Sequence, residues 1–368
     1  MTDKIHVLHV VGAMDIGGIE NMLMTLMPYM REKGIIFDFA VHGDTVGVYE
    51  YEIKKIGGTV YHLPKFIGVN VISYLFAWRA LLINHPELKI IHGHMTSTAS
   101  IYLWIAKHYG RITIAHSHST NTSGGRCVYA IKRIMEFPLR YISDFLCACS
   151  EDAANYRFGK GTSKRGNYHL WHNAIDTKKF LFSQEKRNEF RKKLGISECT
   201  IVIGHTGRMV SSKNHEFLLN IFAYYKRNHS NCKLLLVGGG PLFKDIKKIS
   251  EKLGVGSDVI FTGSVMNPAD YLSAIDVFCY PSLYEGLSVS LIEAQINGRL
   301  CLASNVIPHE VVISNLIKFL SLSRSASDWA SEIDKMRKEK NIGKIIYSTY
   351  DVGRVSRNVE KLYRKMGV

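Results

Sequence analysis

The sequence lacks any uncharged run long enough to cross a lipid bilayer, which takes about 20 consecutive apolar residues. The best candidate, residues 71–83, is too short and contains Arg79. No signal peptide is recognisable at the start of the chain. The seven cysteines are scattered, and the one-residue gap between Cys147 and Cys149 matches neither a zinc nor a thioredoxin motif. These absences predict a cytoplasmic protein with free thiols in a reducing compartment.

Acidic residues are scarce relative to basic ones. Lys and Arg number 47 against 32 Asp and Glu, which gives a formal net charge of +15. This balance predicts an anionic partner, either a nucleic acid, an anionic lipid or a phosphorylated small molecule. A charge that serves solubility alone is the alternative, and composition does not decide between them. A chain of 368 residues is longer than one that folds around a single hydrophobic core, so two domains are expected.

Strand and helix patterns alternate along both halves of the chain. In the first half, strand patterns lie at residues 4–12, 37–42, 60–63, 90–94 and 112–116. The pattern restarts after Asp176, with strands at 200–205, 233–237, 259–262, 276–282 and 300–304. Such alternation predicts α/β domains with parallel, doubly wound sheets, here two Rossmann-like domains facing across a cleft. The expected domains are 1–175 and 176–349, followed by a helix in 350–368.

Two glutamates flank a predicted helix N-terminus in the second half. The apolar run 276–282 predicts a strand, and residues 288–297 predict a helix with Ser288 as its N-cap. Glu285 then lies on the loop after the strand, and Glu293 lies more than one turn inside the helix. Helix N-termini bind phosphate and carboxylates bind hydroxyls, which together suit a sugar nucleotide. Solvated helix faces also carry such pairs, so the spacing alone is weak.

A second charged pair follows the strand at 200–205. The planar guanidinium of Arg208 can donate two parallel hydrogen bonds, and the ammonium of Lys213 carries a compact positive charge. The two together suit a diphosphate. The alternative is a solvated basic loop, but the position at a strand's carboxyl end favours function.

Glycine-rich turns at Gly17-Gly18, Gly238–Gly240 and Gly263–Val265 also follow strands and let backbone approach a ligand closely. Taken alone, Gly17-Gly18 is more typical of an ordinary glycine-rich loop, and each of the other two turns is a weak signal. None has the G-x-G-x-x-G pattern of dinucleotide-binding proteins.

Four histidines lie at or just after the carboxyl ends of two predicted strands in the first half, namely His92, His94, His116 and His118. A metal site would require three or four ligands, usually with a carboxylate or thiolate among them. No acidic residue is close in sequence, so hydrogen bonding is favoured over metal binding. His116 is the histidine that we expect in the cleft.

Residues 126–165 are rich in Lys and Arg, with apolar residues between them. A basic helix with an apolar face can lie on an anionic membrane surface. Pro138 interrupts this helix, and a surface helix packed on its own domain is an equally good interpretation.

Taken in order, these motifs resemble the retaining glycosyltransferases of GT-B architecture in family 4, the glycosyl transferases group 1. The matching segments are Gly17-Gly18-Ile19-Glu20, residues 173–176, Gly207-Arg208 with Lys213-Asn214, residues 238–241, and Glu285-Gly286-Leu287-Ser288 with Glu293. Residues 7–12 and 115–118 further resemble the bacterial members that build capsular polysaccharide and exopolysaccharide.

The resemblance implies that domain 1–175 binds the acceptor, that domain 176–349 binds the nucleotide sugar, and that the helix in 350–368 returns to the first domain. It also implies roles for individual residues. Arg208 and Lys213 would neutralise the diphosphate, Glu285 would hold the transferred sugar, and Glu293 would hold the ribose. The implied catalytic residues are His116, Arg208, Lys213 and Glu285. The implied donor-binding residues are Gly18, Arg208, Lys213, Gly239, Val265, Glu285, Gly286, Leu287, Ser288 and Glu293, and those on the acceptor side are Gly17, His94 and His118. No metal or other cofactor is expected, because Arg208 and Lys213 supply the positive charge.

The expected reaction moves a sugar, with retention of configuration, from a UDP- or GDP-sugar to a lipid-linked saccharide in surface polysaccharide biosynthesis. The expected location is the cytoplasm, with peripheral contact at the inner face of the cell membrane. One alternative is a nucleotide-sugar epimerase of similar shape, which would not be expected to carry these charged pairs. A basic nucleic-acid-binding protein is the other, but only charge supports it, and no nucleic-acid partner is expected.

Overall fold

The protein forms two α/β units, each built on one parallel sheet. The structure is a computed structural model that describes residues 4–118, 125–339 and 349–366. Unit 1 comprises Met1–Asp176 and Ser348–Val368, and unit 2 comprises Thr177–Tyr347. Among the described residues, no helix is both long and apolar enough to cross a membrane.

Unit 1 contains a seven-stranded sheet in the order β3-β2-β1-β4-β5-β6-β7. Its strands are β1 (Ile5–Val10), β2 (Ile35–His42), β3 (Val60–Leu63), β4 (Leu88–Gly93), β5 (Ile112–Ser117), β6 (Phe145–Ala148) and β7 (Tyr168–Leu170). Its helices are α1 (Gly18–Glu32), α2 (Glu50–Ile56), α3 (Val71–Asn84), α4 (Thr96–His108), α5 (Arg126–Glu136), α6 (Leu139–Ile142), α7 (Glu151–Phe158) and the C-terminal α15 (Val352–Lys365).

Unit 2 contains a six-stranded sheet in the order β10-β9-β8-β11-β12-β13. Its strands are β8 (Ile201–Thr206), β9 (Cys232–Val237), β10 (Val259–Phe261), β11 (Val277–Tyr280), β12 (Leu300–Ser304) and β13 (Ile317–Leu320). Its helices are α8 (Thr177–Phe180), α9 (Gln184–Lys193), α10 (His215–Asn228), α11 (Phe243–Lys252), α12 (Ala269–Leu272), α13 (Val289–Ile296) and α14 (Ala326–Lys338).

The central strands are apolar because helices cover both faces of each sheet. In β9, Leu234, Leu235 and Leu236 are all fully buried although they alternate between the two faces. The strand order reverses between β1 and β4 in unit 1, and between β8 and β11 in unit 2. In doubly wound sheets ligands bind at this switch point, outside the carboxyl ends of the strands.

The predicted fold class, two Rossmann-like parallel sheets, is confirmed. Three strands were missed, β6, β7 and β13. The last two are edge strands of three and four residues, and a polar residue, His169 or Lys318, interrupts the apolar sequence of each. In the C-terminal segment, α15 packs against α1 within unit 1.

Candidate active site

The switch point of unit 2 holds a buried cluster of Lys213, Tyr280 and Glu285. Lys213 ends the short turn after β8, Tyr280 is the last residue of β11, and Glu285 lies in the loop beyond it. Lys213 Nζ is 2.7 Å from Glu285 Oε1 and also donates to the Tyr280 hydroxyl. Tyr280 in turn donates to Glu285 Oε1 at 3.3 Å. The side chains of Lys213 and Glu285 are only 16% and 12% exposed.

The cluster keeps Lys213 positively charged. Burial by itself would lower the pKa of this ammonium, but Tyr280 and Glu285 outweigh the burial and raise the pKa above its ordinary value. A cation is therefore held at the carboxyl edge of the sheet throughout the physiological pH range. Lys213 and Glu285 were predicted from the sequence, whereas Tyr280 was missed. In the sequence Tyr280 is the last residue of an apolar strand pattern. That pattern does not show that its hydroxyl would contact Lys213 and Glu285.

Two contacts between the loops hold this cluster together. The Leu283 amide donates to the Ser212 carbonyl at 2.7 Å, and the Asn214 side chain donates to the Pro281 carbonyl at 3.1 Å. Asn214 has a φ of 54°, a left-handed conformation that asparagine tolerates better than most residues. The turn that Asn214 makes places Lys213 next to the end of β11.

Arg208 lies in the same loop system, just after β8, and it is exposed. No hydrogen bond or ion pair joins its guanidinium to any residue in the described ranges. Its five donors are thus available to a ligand.

The glycines of residues 238–240 are required by contacts within the protein. A Cβ at Gly238 would lie 2.2 Å from the Gly207 carbonyl oxygen, and one at Gly240 would lie 2.6 Å from the Met209 carbonyl oxygen. A Cβ at Gly239 would lie 2.6 Å from Ser264 Oγ. The loop after β9 is therefore in close contact with the loops after β8 and β10. This contact brings the predicted donor-binding residue Gly239 beside the segment that contains Val265.

The N-terminus of α13 is free of neutralising groups from its own first turn. Gly286, Leu287 and Ser288 lead into the helix, no acidic residue lies in its first turn, and Ser288 makes no side-chain capping bond. The Ser288 Oγ is buried and has no hydrogen-bond partner among the described residues. Free amide groups at the positive end of a helix attract phosphate, and the Ser288 hydroxyl adds a donor.

Glu293 lies in the second turn of α13 with no described partner for its carboxylate. Although part of the side chain is accessible, the protein atoms around Glu293 raise the pKa of its carboxyl to about 7 by desolvation. Its unpartnered oxygens can accept hydrogen bonds from the hydroxyls of a ligand, and near pH 7 about half of the molecules carry the ionised carboxylate.

This pKa predicts a pH-dependent effect of Glu293→Gln on stability. The folded state holds the Glu293 proton up to about pH 7, whereas the unfolded state releases it near its ordinary pKa. Between those values the wild type loses stability as pH rises, and the neutral Gln variant does not. We expect Glu293→Gln to gain unfolding temperature relative to the wild type from acidic to neutral pH. Glu185→Gln, at an exposed position on α9, is the control for loss of one negative charge. Parallel curves for Glu293→Gln and wild type would contradict the raised pKa.

Five histidines form two hydrogen-bonded rows at the carboxyl ends of β1, β4 and β5 in unit 1. His9 Nδ1 is 2.9 Å from His94 Nε2, and His94 Nδ1 is 2.8 Å from His118 Nε2. In the other row, the Tyr363 hydroxyl is 2.8 Å from His92 Nδ1, and His92 Nε2 is 3.1 Å from His116 Nδ1. His9 was missed by the sequence analysis, because only the strand register places it opposite His92.

The histidine rows are neutral. Burial, with a contribution from neighbouring rings, lowers the pKa of His92, His94 and His116 well below the ordinary value. Burial lowers the pKa of His118 to about 3. Neutral rings can each donate one hydrogen bond and accept one, as the rows require. His116 Nε2 is buried and has no partner among the described residues.

Two sets of three histidine nitrogens lie close enough to be considered for a metal ion, His9-His92-His94 and His94-His116-His118. Two nitrogens on one tetrahedral zinc ion would lie about 3.3 Å apart. The hydrogen-bonded nitrogens of His9, His94 and His118 lie 2.8–2.9 Å apart, which is the spacing of hydrogen bonds. The geometry favours ring-to-ring hydrogen bonds.

The predicted glycines Gly17 and Gly18 lie at the start of α1, after β1. A Cβ at Gly17 would be 2.2 Å from Glu20 Oε2, whereas nothing lies within 4 Å of one at Gly18. The helix has no side-chain cap. Gly17 therefore makes room for Glu20, and the first amides of α1 lie beside open space at Gly18.

Family models and known proteins match nearly the whole chain. Residues 16–179 match the model "Glycosyltransferase Family 4", and residues 186–347 match "Glycosyl transferases group 1". EpsF of Bacillus subtilis (strain 168), named as a glycosyltransferase, is 32% identical over 89% of this chain and 86% of its own length. The capsular polysaccharide biosynthesis glycosyltransferase CapH of Staphylococcus aureus is 23% identical over 98% of both chains.

Two further proteins extend the comparison. An Escherichia coli UDP-Gal:α-D-GlcNAc-diphosphoundecaprenol α-1,3-galactosyltransferase is 24% identical over 64% of this chain and 62% of its own. The crystal structure of Anabaena Alr3699/HepE with UDP and glucose superposes with a TM-score of 0.79 at 14% identity, covering 97% of this chain and 99% of HepE. That likeness confirms the predicted two-domain GT-B fold. With a 32% identical relative matched over most of its length, the chain belongs to the glycosyl transferases group 1, and its N-terminal region is of the family 4 type.

Proposed function

We propose that this glycosyltransferase moves a sugar from a nucleotide-diphosphate sugar to a saccharide acceptor with retention of configuration. The observation that carries the proposal is the Lys213–Tyr280–Glu285 cluster, which lies with Arg208 at the carboxyl ends of β8 and β11. In a nucleotide-diphosphate sugar one bond joins the diphosphate to the sugar. A cation next to a carboxylate can therefore contact both groups, the cation binding the diphosphate and the carboxylate binding the sugar hydroxyls.

Each end of the donor has a candidate partner. Arg208 and Lys213 neutralise the diphosphate, and the amides at the start of α13 add hydrogen bonds to it. Glu285 accepts hydrogen bonds from hydroxyls of the transferred sugar, while Glu293 accepts them from the ribose. The loops containing Gly239 and Val265 offer backbone groups to the nucleotide.

The mechanism we propose is front-face displacement. The bond from the anomeric carbon to the diphosphate oxygen breaks, and a bond from that carbon to the acceptor oxygen forms on the same face. The acceptor's proton passes to the leaving phosphate. Catalysis then consists of positioning and charge stabilisation, with Arg208 and Lys213 in place of a metal ion. His116 is the candidate catalytic residue of unit 1 in this proposal, and Gly17, His94 and His118 are the candidate residues on the acceptor side.

The relatives support a choice of substrates. HepE structures contain UDP or UDP-glucose, the Escherichia coli relative is named for a diphosphoundecaprenol acceptor, and CapH is named for capsular polysaccharide. We therefore propose a UDP- or GDP-sugar donor and a lipid-linked acceptor in surface polysaccharide biosynthesis. The acceptor would bring the protein to the inner face of the cell membrane, where residues 126–165 are the candidate for peripheral contact.

The test is a thermal-shift screen with UDP, GDP and their sugars in the presence of EDTA, followed by transfer to lipid-linked acceptors. We expect stabilisation by one nucleotide diphosphate, transfer without added metal, and a product whose anomeric configuration by NMR matches that of the donor. An inverted product would contradict the mechanism, and dependence on a metal would contradict the role of Arg208 and Lys213.

The same experiments separate the alternatives. An epimerase would change the donor sugar without any acceptor. A nucleic-acid-binding protein would bind DNA or RNA with a steep salt dependence and show no stabilisation by nucleotide diphosphates.

A further inference from the structure

A hydroxyl on the C-terminal helix starts one of the two histidine rows. Tyr363 of α15 is fully buried, and its hydroxyl lies 2.8 Å from His92 Nδ1. His92 Nε2 is in turn 3.1 Å from His116 Nδ1. His92 is in register with Ile114, so His116 lies two residues closer to the carboxyl end of β5. The row therefore runs from the core of unit 1 towards the edge at which doubly wound sheets bind ligands.

This row holds one proton more than its hydrogen bonds use. Burial raises the pKa of Tyr363 and lowers the pKa of both histidines, so the phenol and the two neutral rings carry one ionisable proton each. The two hydrogen bonds use two of these three protons. The third is left at one end of the row, either on the Tyr363 hydroxyl or on His116 Nε2. Neither end has a further partner among the described residues.

Two properties place the spare proton on His116. An imidazole nitrogen is a far better proton acceptor than a phenol oxygen, so the stronger bond is the one in which Tyr363 donates to His92. The surroundings agree, because the ring of Tyr363 packs against Phe37 and Trp171, whose side chains offer no acceptor. With Tyr363 donating, His92 donates from Nε2 and His116 accepts at Nδ1. His116 then carries its own proton on Nε2, which points away from His92.

We infer that Tyr363 and His92 are positioning residues, which hold His116 in the tautomer that donates a hydrogen bond from Nε2 to an oxygen of a bound substrate. A buried N–H without a partner is rare in native structures, and a substrate oxygen that accepts its hydrogen bond accounts for it. In this tautomer Nδ1 accepts from His92 and Nε2 has no free lone pair, so His116 is a donor and not a general base.

A donor at His116 agrees with the proposed mechanism, in which the leaving phosphate takes the acceptor's proton. The role of Tyr363 and His92 in transfer therefore rests on the proposed function. The tautomer of His116 does not, because it is a property of the free protein and can be measured without any substrate.

NMR of the full chain labelled with ¹⁵N-histidine tests the tautomer directly, because a protonated ring nitrogen and a bare one differ widely in ¹⁵N chemical shift. The signals of His116 are identified by their loss in His116→Gln. We expect Nε2 to be protonated and Nδ1 to be bare in the wild type. Tyr363→Phe leaves two protons for one hydrogen bond, so neither direction of the bond is favoured. The two ¹⁵N shifts of His116 should then move towards each other.

Tyr225→Phe is the matched control. Tyr225 is also buried, and its hydroxyl accepts one hydrogen bond, from Arg337 at 2.9 Å. The substitution removes an equivalent hydroxyl from unit 2, so the ¹⁵N shifts of His116 and the turnover should stay those of the wild type.

Transfer kinetics distinguish a donor from a base at position 116. Glutamine can accept from His92 and donate to a substrate but has no basic nitrogen, whereas alanine does neither. We expect His116→Gln to turn over roughly tenfold faster than His116→Ala, and Tyr363→Phe to lower kcat roughly fivefold, the effect of one neutral hydrogen bond.

The ¹H shift of the His116 Nε2 proton shows which substrate supplies the oxygen. We expect a downfield shift with either the nucleotide sugar that stabilises the protein or the lipid-linked acceptor, each added alone and then together.

Four results would overturn the inference. They are a wild-type His116 protonated on Nδ1, unchanged His116 shifts in Tyr363→Phe, equal turnover by His116→Gln and His116→Ala, and an Nε2 proton that responds to neither substrate nor to both together. The first two would leave the proposed reaction untouched if nucleotide-diphosphate binding and sugar transfer persist. Absence of transfer by a wild type with the expected tautomer would instead count against the proposed function, so the two fail separately.

Discussion

Replacing Lys213 with alanine is expected to lower turnover by about 10²–10³-fold, comparable to the loss of one donor that stabilises a developing negative charge. The ammonium is held 2.7 Å from Glu285 and bonded to Tyr280, so its position is set before the donor binds. A preorganised cation costs no reorganisation when charge develops on the leaving diphosphate. The measurement is kcat for transfer at saturating donor, and unchanged turnover would show that Lys213 lies outside the site.

Two further variants show whether such a loss comes from the missing cation. Lys213→Ala also changes the surroundings of Glu285, so the double variant with Glu285→Gln measures how far the two residues act together. Lys226→Ala is the control. Lys226 also forms an ion pair in unit 2, with its Nζ 2.9 Å from Asp258 Oδ2. This pair joins α10 to the turn before β10, away from the proposed site. The control should retain full turnover.

Replacing Arg208 with alanine is expected to weaken binding of the nucleotide diphosphate by roughly tenfold to a hundredfold, the range for loss of a hydrogen bond between charged groups. The guanidinium is exposed and makes no hydrogen bond within the described ranges. Its loss should therefore leave the unfolding temperature of the free protein unchanged while reducing the stabilisation by UDP or GDP. Titration calorimetry and thermal unfolding with and without nucleotide measure both effects.

The matched control for Arg208 is Arg227→Ala. Arg227 is exposed on α10 and lies over the ring of Tyr224, so this variant removes an equal charge from the same unit. Arg208→Lys should restore part of the affinity, because it keeps the charge but not the planar fork. Wild-type nucleotide affinity in Arg208→Ala would remove the arginine from the proposed site.

Much of the fold could be predicted because its signals are local. The strand at Val60–Leu63 and the strand at Leu300–Ser304 were predicted to the residue, since each is a short, largely apolar segment bounded by polar residues or proline. The predicted helix after Ser288 begins at Val289. The edge strands β7 and β13 were not predicted. A strand that pairs on one side only does not need an uninterrupted apolar sequence, and the sequences of β7 and β13 are interrupted.

The site was harder to predict because its contacts join distant segments. Lys213 and Glu285 were identified separately, but their direct contact depends on β8 and β11 being neighbours in the sheet. His9 and Tyr363 belong to histidine rows whose members are as many as 271 positions apart. No spacing rule connects residues at that separation.

The sequence by itself determined the alternation of strands and helices, the turns that end the strands, and which charged residues follow those turns. These follow from backbone and side-chain preferences that act within a few residues. Only the tertiary structure decided which strand ends are adjacent, and with them the Lys213–Tyr280–Glu285 cluster and the histidine rows. Strand order and crossover handedness bring those residues together, and both are properties of the whole sheet.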